Sequence, residues 1–166
     1  MTRRDYTIKW LFFSLATLVL VMLQHLILGH ITLWGVHPFL LPMIAALATM
    51  WEGMEGLIFS VAFGLLTDLT TAAPFPCFYT LAFLVIALVT MLITKHRLVP
   101  GFICALISSV LSIILCDLLQ MLFLSYTAGI SFTAGLVLTA KELISVIGMP
   151  LIYFPFRWLH SRVQAD

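Results

Sequence analysis

The sequence predicts an all-α protein that crosses a membrane several times and forms a single transmembrane domain over residues 1–166. Of its residues, 63% are hydrophobic and only 9% are charged, whereas a soluble domain carries about 25% charged residues. The few charges lie between apolar runs, and several of these runs approach the roughly 20 residues that a membrane-spanning helix needs. The connections between the runs are too short to form a soluble domain.

Six apolar runs predict six membrane-spanning helices. The first follows a basic N-terminus and is longer than the apolar core of a signal peptide, so we expect an uncleaved span. The second and third are short and are separated by a polar turn at Glu52, Gly53 and Glu55, so they form either two spans or one re-entrant hairpin. A proline-rich connection precedes the fourth, Pro100 opens the fifth, and the sixth is expected to kink near Pro150. The predicted spans are 10–28, 38–51, 56–69, 78–94, 100–124 and 134–159, with a loop at 126–131.

The distribution of basic residues predicts that both termini lie in the cytoplasm. In a six-span protein, all but one of the 8 lysines and arginines fall on the same side of the membrane, and Lys141 is the exception. A five-span arrangement would divide these basic clusters between the two sides. We therefore expect six spans, or four spans and a hairpin.

A stripe of small residues in the third run ends at an acid. Its members recur every four positions and are Gly56, Ser60, Gly64 and Asp68. Small residues at this spacing let two helix backbones approach closely, either within one chain or against a partner's helix. We therefore interpret the stripe as a helix-packing or partner interface. Asp68 has a second interpretation, as a cap that accepts hydrogen bonds from Thr70 or Thr71.

Ionisable side chains inside the later spans form a second candidate site, because a charge within a membrane is costly and marks a functional position. At about 1.5 Å per residue, Asp117 and Glu142 fall at a similar depth. Two arrangements stay open: an ion pair between Asp117 and Lys141, or a polar site that Asp117 shares with Glu142 and Gln120. Three roles also stay open, namely fixing the helix register, handling a proton or substrate, and contacting a partner.

Sequence motifs for catalysis and metal binding are absent: there is no GxSxG, no HExxH and no glycine-rich phosphate loop. The three cysteines, Cys77, Cys104 and Cys116, show no CxxC spacing and are interpreted as small apolar membrane residues. The net charge of +1 argues against a nucleic-acid surface. We therefore expect no enzyme activity, no metal, no cofactor and no nucleic-acid partner, with the lipid bilayer as the surroundings.

The segment 56–87 reads GLIFSVAFGLLTDLTTAAPFPCFYTLAFLVIA and follows a proline-led run, HPFLLPMIAAL. It contains the pattern G-x(7)-G-L-x-x-D, at Gly56, Gly64, Leu65 and Asp68. This arrangement resembles the rod shape-determining protein MreD family, as do Asp117 in LSIILCDLL and the ending MPLIYFPFRWLHSR. The length and hydropathy agree over most of the chain. Family members often carry a glycine in the loop after the aspartate, whereas this chain has TTAAPFPCF.

The resemblance implies a non-enzymatic scaffold of the bacterial cell-wall elongation machinery in the inner (cytoplasmic) membrane. Such a protein binds the membrane-anchored MreC and, through it, connects to MreB filaments, the RodA polymerase and its penicillin-binding transpeptidase. The resemblance also implies a fold similar to that of the substrate-binding S-components of energy-coupling-factor transporters.

Two further function classes stay open beside the scaffold. An S-component for a vitamin or metal predicts an outward-open polar pocket and an alanine-rich first span, but the first span here, LFFSLATLVLVMLQHLIL, is bulky. A small channel or proton-coupled carrier needs polar residues at the midplane of several spans, and this sequence offers few. A scaffold predicts a filled interior and helix faces rich in small residues.

Overall fold

The computed structural model describes residues 3–26, 30, 39–72, 75–96, 101–128 and 132–164, and these form helices joined by short connections. The helices are α1 (Arg3–Leu26), α2 (Leu41–Glu52), α3 (Met54–Thr70), α4 (Phe78–His96), α5 (Phe102–Ala128), α6 (Phe132–Glu142) and α7 (Met149–Gln164). A 3-10 helix at Leu143–Gly148 joins α6 to α7. The described part of the chain contains no strand, which confirms the all-α prediction.

Three helical stretches are long and apolar enough to cross a membrane, namely Phe78–Lys95, Phe102–Thr127 and Gly135–Trp158. Two shorter apolar helices, Trp10–Leu26 and Leu41–Glu52, accompany them. The protein is therefore an all-α polytopic membrane protein. Each of the six predicted runs contains a helix, and the number of complete crossings stays a prediction.

Two predicted boundaries differ from those of the structure. The fifth helix continues to Ala128, so residues 126–128 are helical rather than part of the predicted loop. None of the residues Ser125–Ala128 is a helix-breaking glycine or proline, which explains the extension. The second helix begins at Leu41 with Pro42 in its first turn. A proline is tolerated there because a backbone N–H in the first turn has no acceptor within the helix. Pro38, the predicted start, lies outside the described residues.

Helix α2 occupies the centre of the fold. Every residue from Leu41 to Met50 is buried, and the helix contacts α1, α3, α4, α5 and α7. A helix that is apolar all round is typical of an element buried on every side. The middle of the bundle is therefore filled by a helix of the chain itself.

The predicted polar turn between the second and third helices is present at Gly53. This residue has a φ of +58°, in the left-handed region that glycine adopts without steric cost. Its N–H donates to the Thr49 carbonyl oxygen at 2.9 Å, which closes the end of α2. The turn reverses the chain, so that α3 packs along α2.

Two polar side chains hold the segment that leads into α2. The Phe39 N–H donates to Ser145 Oγ at 3.0 Å, and the Leu40 N–H donates to Gln24 Oε1 at 3.0 Å. Ser145 belongs to the 3-10 helix and Gln24 to α1. The start of α2 is therefore hydrogen-bonded to the first helix and to the segment just before the last helix. Sequence reasoning missed both residues, although an isolated polar residue in an apolar span is a signal for such a contact.

Replacing Ser145 with alanine is expected to lower the free energy of unfolding by about 1–2 kcal/mol, because the Phe39 N–H loses its acceptor. The measurement is thermal unfolding of the purified protein in mild detergent. Ser125→Ala is the matched control, since Ser125 is exposed on α5. An equal effect of the two substitutions would contradict the assigned contact.

Candidate functional site

The small-residue stripe lies inside the fold, where α3 contacts two neighbouring helices. A Cβ at Gly56 would meet the Ala48 carbonyl oxygen and would lie 2.6 Å from Thr49 Cα in α2. A Cβ at Gly64 would lie 2.7 Å from Thr80 Cα in α4. Both glycines therefore permit backbone contact, and this face of α3 is covered by the chain's own helices.

Ser60 lies in the middle of the stripe and is fully buried. Its Oγ is 2.7 Å from the Gly56 carbonyl oxygen in its own helix and 3.0 Å from the Ala45 carbonyl oxygen in α2. Thr49 Oγ1 is 3.1 Å away and is itself bonded to the Ala45 carbonyl. The two hydroxyls form a small polar contact between α2 and α3 at the point where the helices approach closely.

Asp68, at the end of the stripe, caps the start of α4. Its Oδ1 accepts the Tyr79 N–H at 2.9 Å, and its Oδ2 accepts the Thr80 N–H at 2.9 Å and the Thr80 hydroxyl at 2.6 Å. The first amides of a helix have no partner within that helix, and a negative charge is favourable at this end. A carboxylate from α3 therefore satisfies the first turn of α4.

Asp68 accepts hydrogen bonds as a cap, as predicted, but the predicted donors, Thr70 and Thr71, are wrong. The Thr70 hydroxyl bonds to the Leu66 carbonyl at 3.1 Å, within its own helix, and Thr71 Oγ1 is buried with no partner among the described residues. The donors lie in α4 because the connection folds the chain back, which brings the start of α4 onto the end of α3. Sequence spacing alone does not show this reversal.

The connection before α4 ends at Cys77, which has a φ of 64°. Non-glycine residues adopt this left-handed conformation at a cost of about 1–2 kcal/mol. Cys77 therefore holds a conformation that glycine would adopt without this cost. We expect Cys77→Gly to raise the thermal unfolding temperature, with the exposed Thr70→Ala as a neutral control. A lower temperature for Cys77→Gly would show that the left-handed conformation carries no cost there.

The second candidate site lies between α5 and α6. A Cβ at Gly135 would lie 2.5 Å from Met121 Sδ, so α6 approaches α5 closely at this position. One turn further along, Thr139 falls opposite Asp117, and Glu142 follows on the same face of α6. The Thr139 and Glu142 side chains both interact with the Asp117 carboxyl. Asp117 itself is only 7% exposed.

Of the two predicted arrangements, the ion pair with Lys141 is not formed. Lys141 is exposed and is not among the groups that act on Asp117. Adjacent residues point about 100° apart on a helix, so only one of Lys141 and Glu142 faces α5. In the structure, Asp117 neighbours Glu142, as in the second arrangement. The third side chain beside Asp117 is Thr139 rather than the predicted Gln120, which is half-buried.

Tyr79 connects the two candidate sites, and sequence reasoning missed it. Its N–H is held by Asp68, and its buried side chain has both Asp117 and Glu142 among its electrostatic neighbours. The ring packs against Phe39 and Phe83 at centroid distances of 5.7 and 6.0 Å. The cap of α4 and the carboxyl pair are therefore linked through one residue.

The chemistry of this polar cluster is that of oxygen ligands. It combines the carboxyls of Asp117 and Glu142 with the Thr139 hydroxyl, and Asp117 Oδ2 is buried with no hydrogen-bond partner among the described residues. Within the same part of the chain, no group of three or more histidines, cysteines or acids is placed to hold a metal ion. Oxygen ligands of this type suit a proton or a hard cation rather than a transition metal.

Two grooves run along the outside of α1. The larger has a volume of about 670 Å³ and lies between α1 and α3, and the smaller has about 290 Å³ and lies between α1 and α7. The larger is lined by Thr7, Trp10, Leu11, Ser14, Glu55, Ile58, Phe59 and Ala62. Both are mainly apolar, which fits a surface that faces lipid or another helix.

The chain was compared with protein families, curated proteins and solved structures. No family matches it, and neither does any curated protein or any solved structure.

Proposed function

We propose that the chain is a non-enzymatic scaffold of the cell-wall elongation machinery in a bacterial inner membrane, where it binds an MreC-like membrane protein. The observation that supports this most is the burial of α2, in which every residue from Leu41 to Met50 is enclosed. The centre of the bundle is therefore occupied by a helix of the chain itself. A filled body of this kind supports the scaffold proposal.

The motif shared with the MreD family supports the proposal by what its residues do. Gly56 and Gly64 give the close contacts of α3 with α2 and α4, and Asp68 caps α4. Leu65 is different, because it is 51% exposed and contributes little to the interior. In this proposal, the stripe builds the body of the scaffold, and Leu65 is part of the surface that contacts the MreC-like partner.

Co-purification from native membranes in mild detergent, followed by mass spectrometry, tests the proposal. We expect recovery of MreC-like, RodA-like and penicillin-binding proteins together with the tagged chain, and MreB in an indirect complex. An unrelated polytopic protein with the same tag is the control. Recovery of an ATPase pair with a coupling membrane subunit, in place of these proteins, would overturn the scaffold proposal.

A pair of leucine substitutions sharpens the test. We expect Leu65→Ala to reduce recovery of the MreC-like partner by about tenfold, the effect of losing roughly 1.4 kcal/mol at an interface. Leu88→Ala on α4 is the matched control, because Leu88 is 50% exposed and has the same size. Equal recovery with both variants would remove Leu65 from the proposed contact surface.

The orientation in the proposal, with both termini in the cytoplasm, can be tested on a native cysteine. Cys77 is exposed in the connection before α4, on the outer side in this orientation, whereas Cys104 and Cys116 are buried. A membrane-impermeant maleimide should label spheroplasts at Cys77 alone, and Cys77→Ser should abolish the labelling. Labelling only after the membrane is opened would reverse the orientation.

A substrate-binding S-component is the second candidate function, and the carboxyl pair at Asp117 and Glu142 is the observation that favours it. Native mass spectrometry of the purified chain distinguishes the two proposals. A stoichiometric vitamin that is lost in Asp117→Asn would favour the S-component. A measured mass equal to that of the chain without a ligand, together with binding of the MreC-like partner, would favour the scaffold.

A further inference from the structure

The polar cluster between α5 and α6 holds two acids and no facing base. Asp117 and Glu142 are close enough to interact, and the other titratable neighbours of Asp117 and of the adjoining Tyr79 are Cys116 and Asp68. Lys141 is exposed and is not among the groups that interact with Asp117. Among the described residues, no lysine, arginine or histidine therefore balances this pair.

Asp117 is buried well inside α5, and Glu142 is half-buried beside it. At about 1.5 Å per residue, Asp117 is roughly 22 Å from the start of α5 and roughly 16 Å from its end. A carboxylate at such a depth is stable only when it is paired, hydrogen-bonded or neutralised. Asp117 is more than nine-tenths buried, and its Oδ2 has no hydrogen-bond partner in the described structure. Asp117 therefore combines an unsatisfied acceptor oxygen with a second carboxyl, that of Glu142, as its neighbour.

The last span is broken at the same place. The α-helix ends at Glu142, and a 3-10 helix runs over Leu143–Gly148 before α7 begins. A 3-10 stretch within a helix often marks a functional position, and interrupted membrane helices commonly carry ion sites. This interruption is a property of the backbone and is independent of the burial of Asp117.

We propose that the carboxyls of Asp117 and Glu142 form an intramembrane site for one monovalent cation, a proton or a sodium ion, held between the two groups with the Thr139 hydroxyl beside it. A single positive charge reduces the net charge of the pair from −2 to −1 and gives Asp117 Oδ2 a partner. Both cations carry one positive charge and bind to carboxylate oxygen, a proton through an O–H bond and sodium through coordination by several oxygens. The site does not rest on the scaffold proposal, since none of its residues belongs to the contact surface proposed at Leu65.

Infrared spectroscopy of the purified full-length protein in sodium-free buffer tests the proposal. We expect the C=O stretch of one protonated carboxyl per chain near neutral pH, which disappears as the pH rises. Disappearance on addition of sodium chloride, but not choline chloride, identifies sodium as a competing occupant. Insensitivity to sodium with sensitivity to pH identifies the proton as the occupant.

Thermal unfolding provides a second measurement that needs no variant. If sodium binds, each tenfold rise in its concentration above the dissociation constant should raise the unfolding temperature by about 3–6 °C at constant ionic strength. If only the proton binds, the unfolding temperature should fall as the pH rises through the range in which the carboxyl band disappears.

Three variants assign the signal to residues. Asp117→Asn and Glu142→Gln should each remove the carboxyl band and the dependence on pH or sodium. Lys141→Gln, a neighbouring charge that does not face the site, should leave both unchanged. The proposal is overturned if the wild-type protein shows neither a titrating carboxyl band nor stabilisation by sodium. It is equally overturned if both carboxyls stay protonated at every pH, or if Lys141→Gln alone removes the effects.

Discussion

Replacing Asp68 with leucine is expected to lower the free energy of unfolding by about 2–4 kcal/mol, the largest effect of any single substitution considered for this protein. The substitution removes the acceptor of three hydrogen bonds, from the Tyr79 N–H, the Thr80 N–H and the Thr80 hydroxyl. It also removes a negative charge from the N-terminal end of α4, where that charge is favourable. The Tyr79 and Thr80 amides in the first turn of α4 then have no acceptor.

Two control variants separate the cap from other effects of the substitution. Asp68→Asn retains one acceptor oxygen and should lose about half as much stability as Asp68→Leu. Thr70→Ala removes an exposed hydroxyl of the same helix end and should change stability by less than about 0.5 kcal/mol. Hydrogen exchange gives a local measurement: the Tyr79 and Thr80 amides should exchange faster in Asp68→Leu. Unchanged exchange at these two amides would show that Asp68 does not cap α4.

Replacing Gly64 with alanine is expected to lower the free energy of unfolding by about 2–3 kcal/mol, although alanine forms helices better than glycine. The new Cβ would lie 2.7 Å from Thr80 Cα and 2.9 Å from the Tyr79 carbonyl oxygen. Both atoms belong to the backbone of α4, so a whole helix must move to relieve the contact. Gly56→Ala should behave similarly, since its Cβ would meet the backbone of α2.

Gly135→Ala is the matched control, because its Cβ would meet only the flexible side chain of Met121. Methionine adapts to irregular gaps, and the gain in helix propensity of about 1 kcal/mol offsets the contact. We therefore expect its stability to stay within about 1 kcal/mol of wild type. Thermal unfolding of the three variants in one detergent makes the comparison. Equal stability of Gly64→Ala and Gly135→Ala would refute the backbone contact at Gly64.

The fold class and the order of the helices could be predicted from the sequence, because long apolar runs report directly on burial in a membrane. The polar turn at Gly53 was equally accessible, since glycine and two acids interrupt an apolar pattern there. The end of α5 was not, because Tyr126 and Thr127 are polar enough to suggest a loop but do not break a helix. Hydropathy finds the apolar part of a helix, whereas the helix itself can continue beyond it.

The candidate sites were predicted as residues but not as contacts. The four-residue spacing located the stripe of Gly56, Ser60, Gly64 and Asp68. It does not show which helices cover the stripe. The Asp68 donors lie 11 and 12 positions away, across a chain reversal that local spacing does not encode. The sequence does not show that Glu142, rather than Lys141, is the neighbour of Asp117. That contact depends on packing between helices.

The enclosure of α2 has a consequence for how the protein is made. Synthesis proceeds from the N-terminus, and α5 begins at Phe102, 50 residues after α2 ends at Glu52. At about 5–20 residues per second, roughly 3–10 s pass before the first residue of α5 is added, and α7 follows later still. During this interval α2 has α1, then α3 and α4, as neighbours, and one side remains uncovered by the chain. We expect nascent chains that stop before Phe102 to stay bound to the insertion machinery, which covers that side until α5 replaces it.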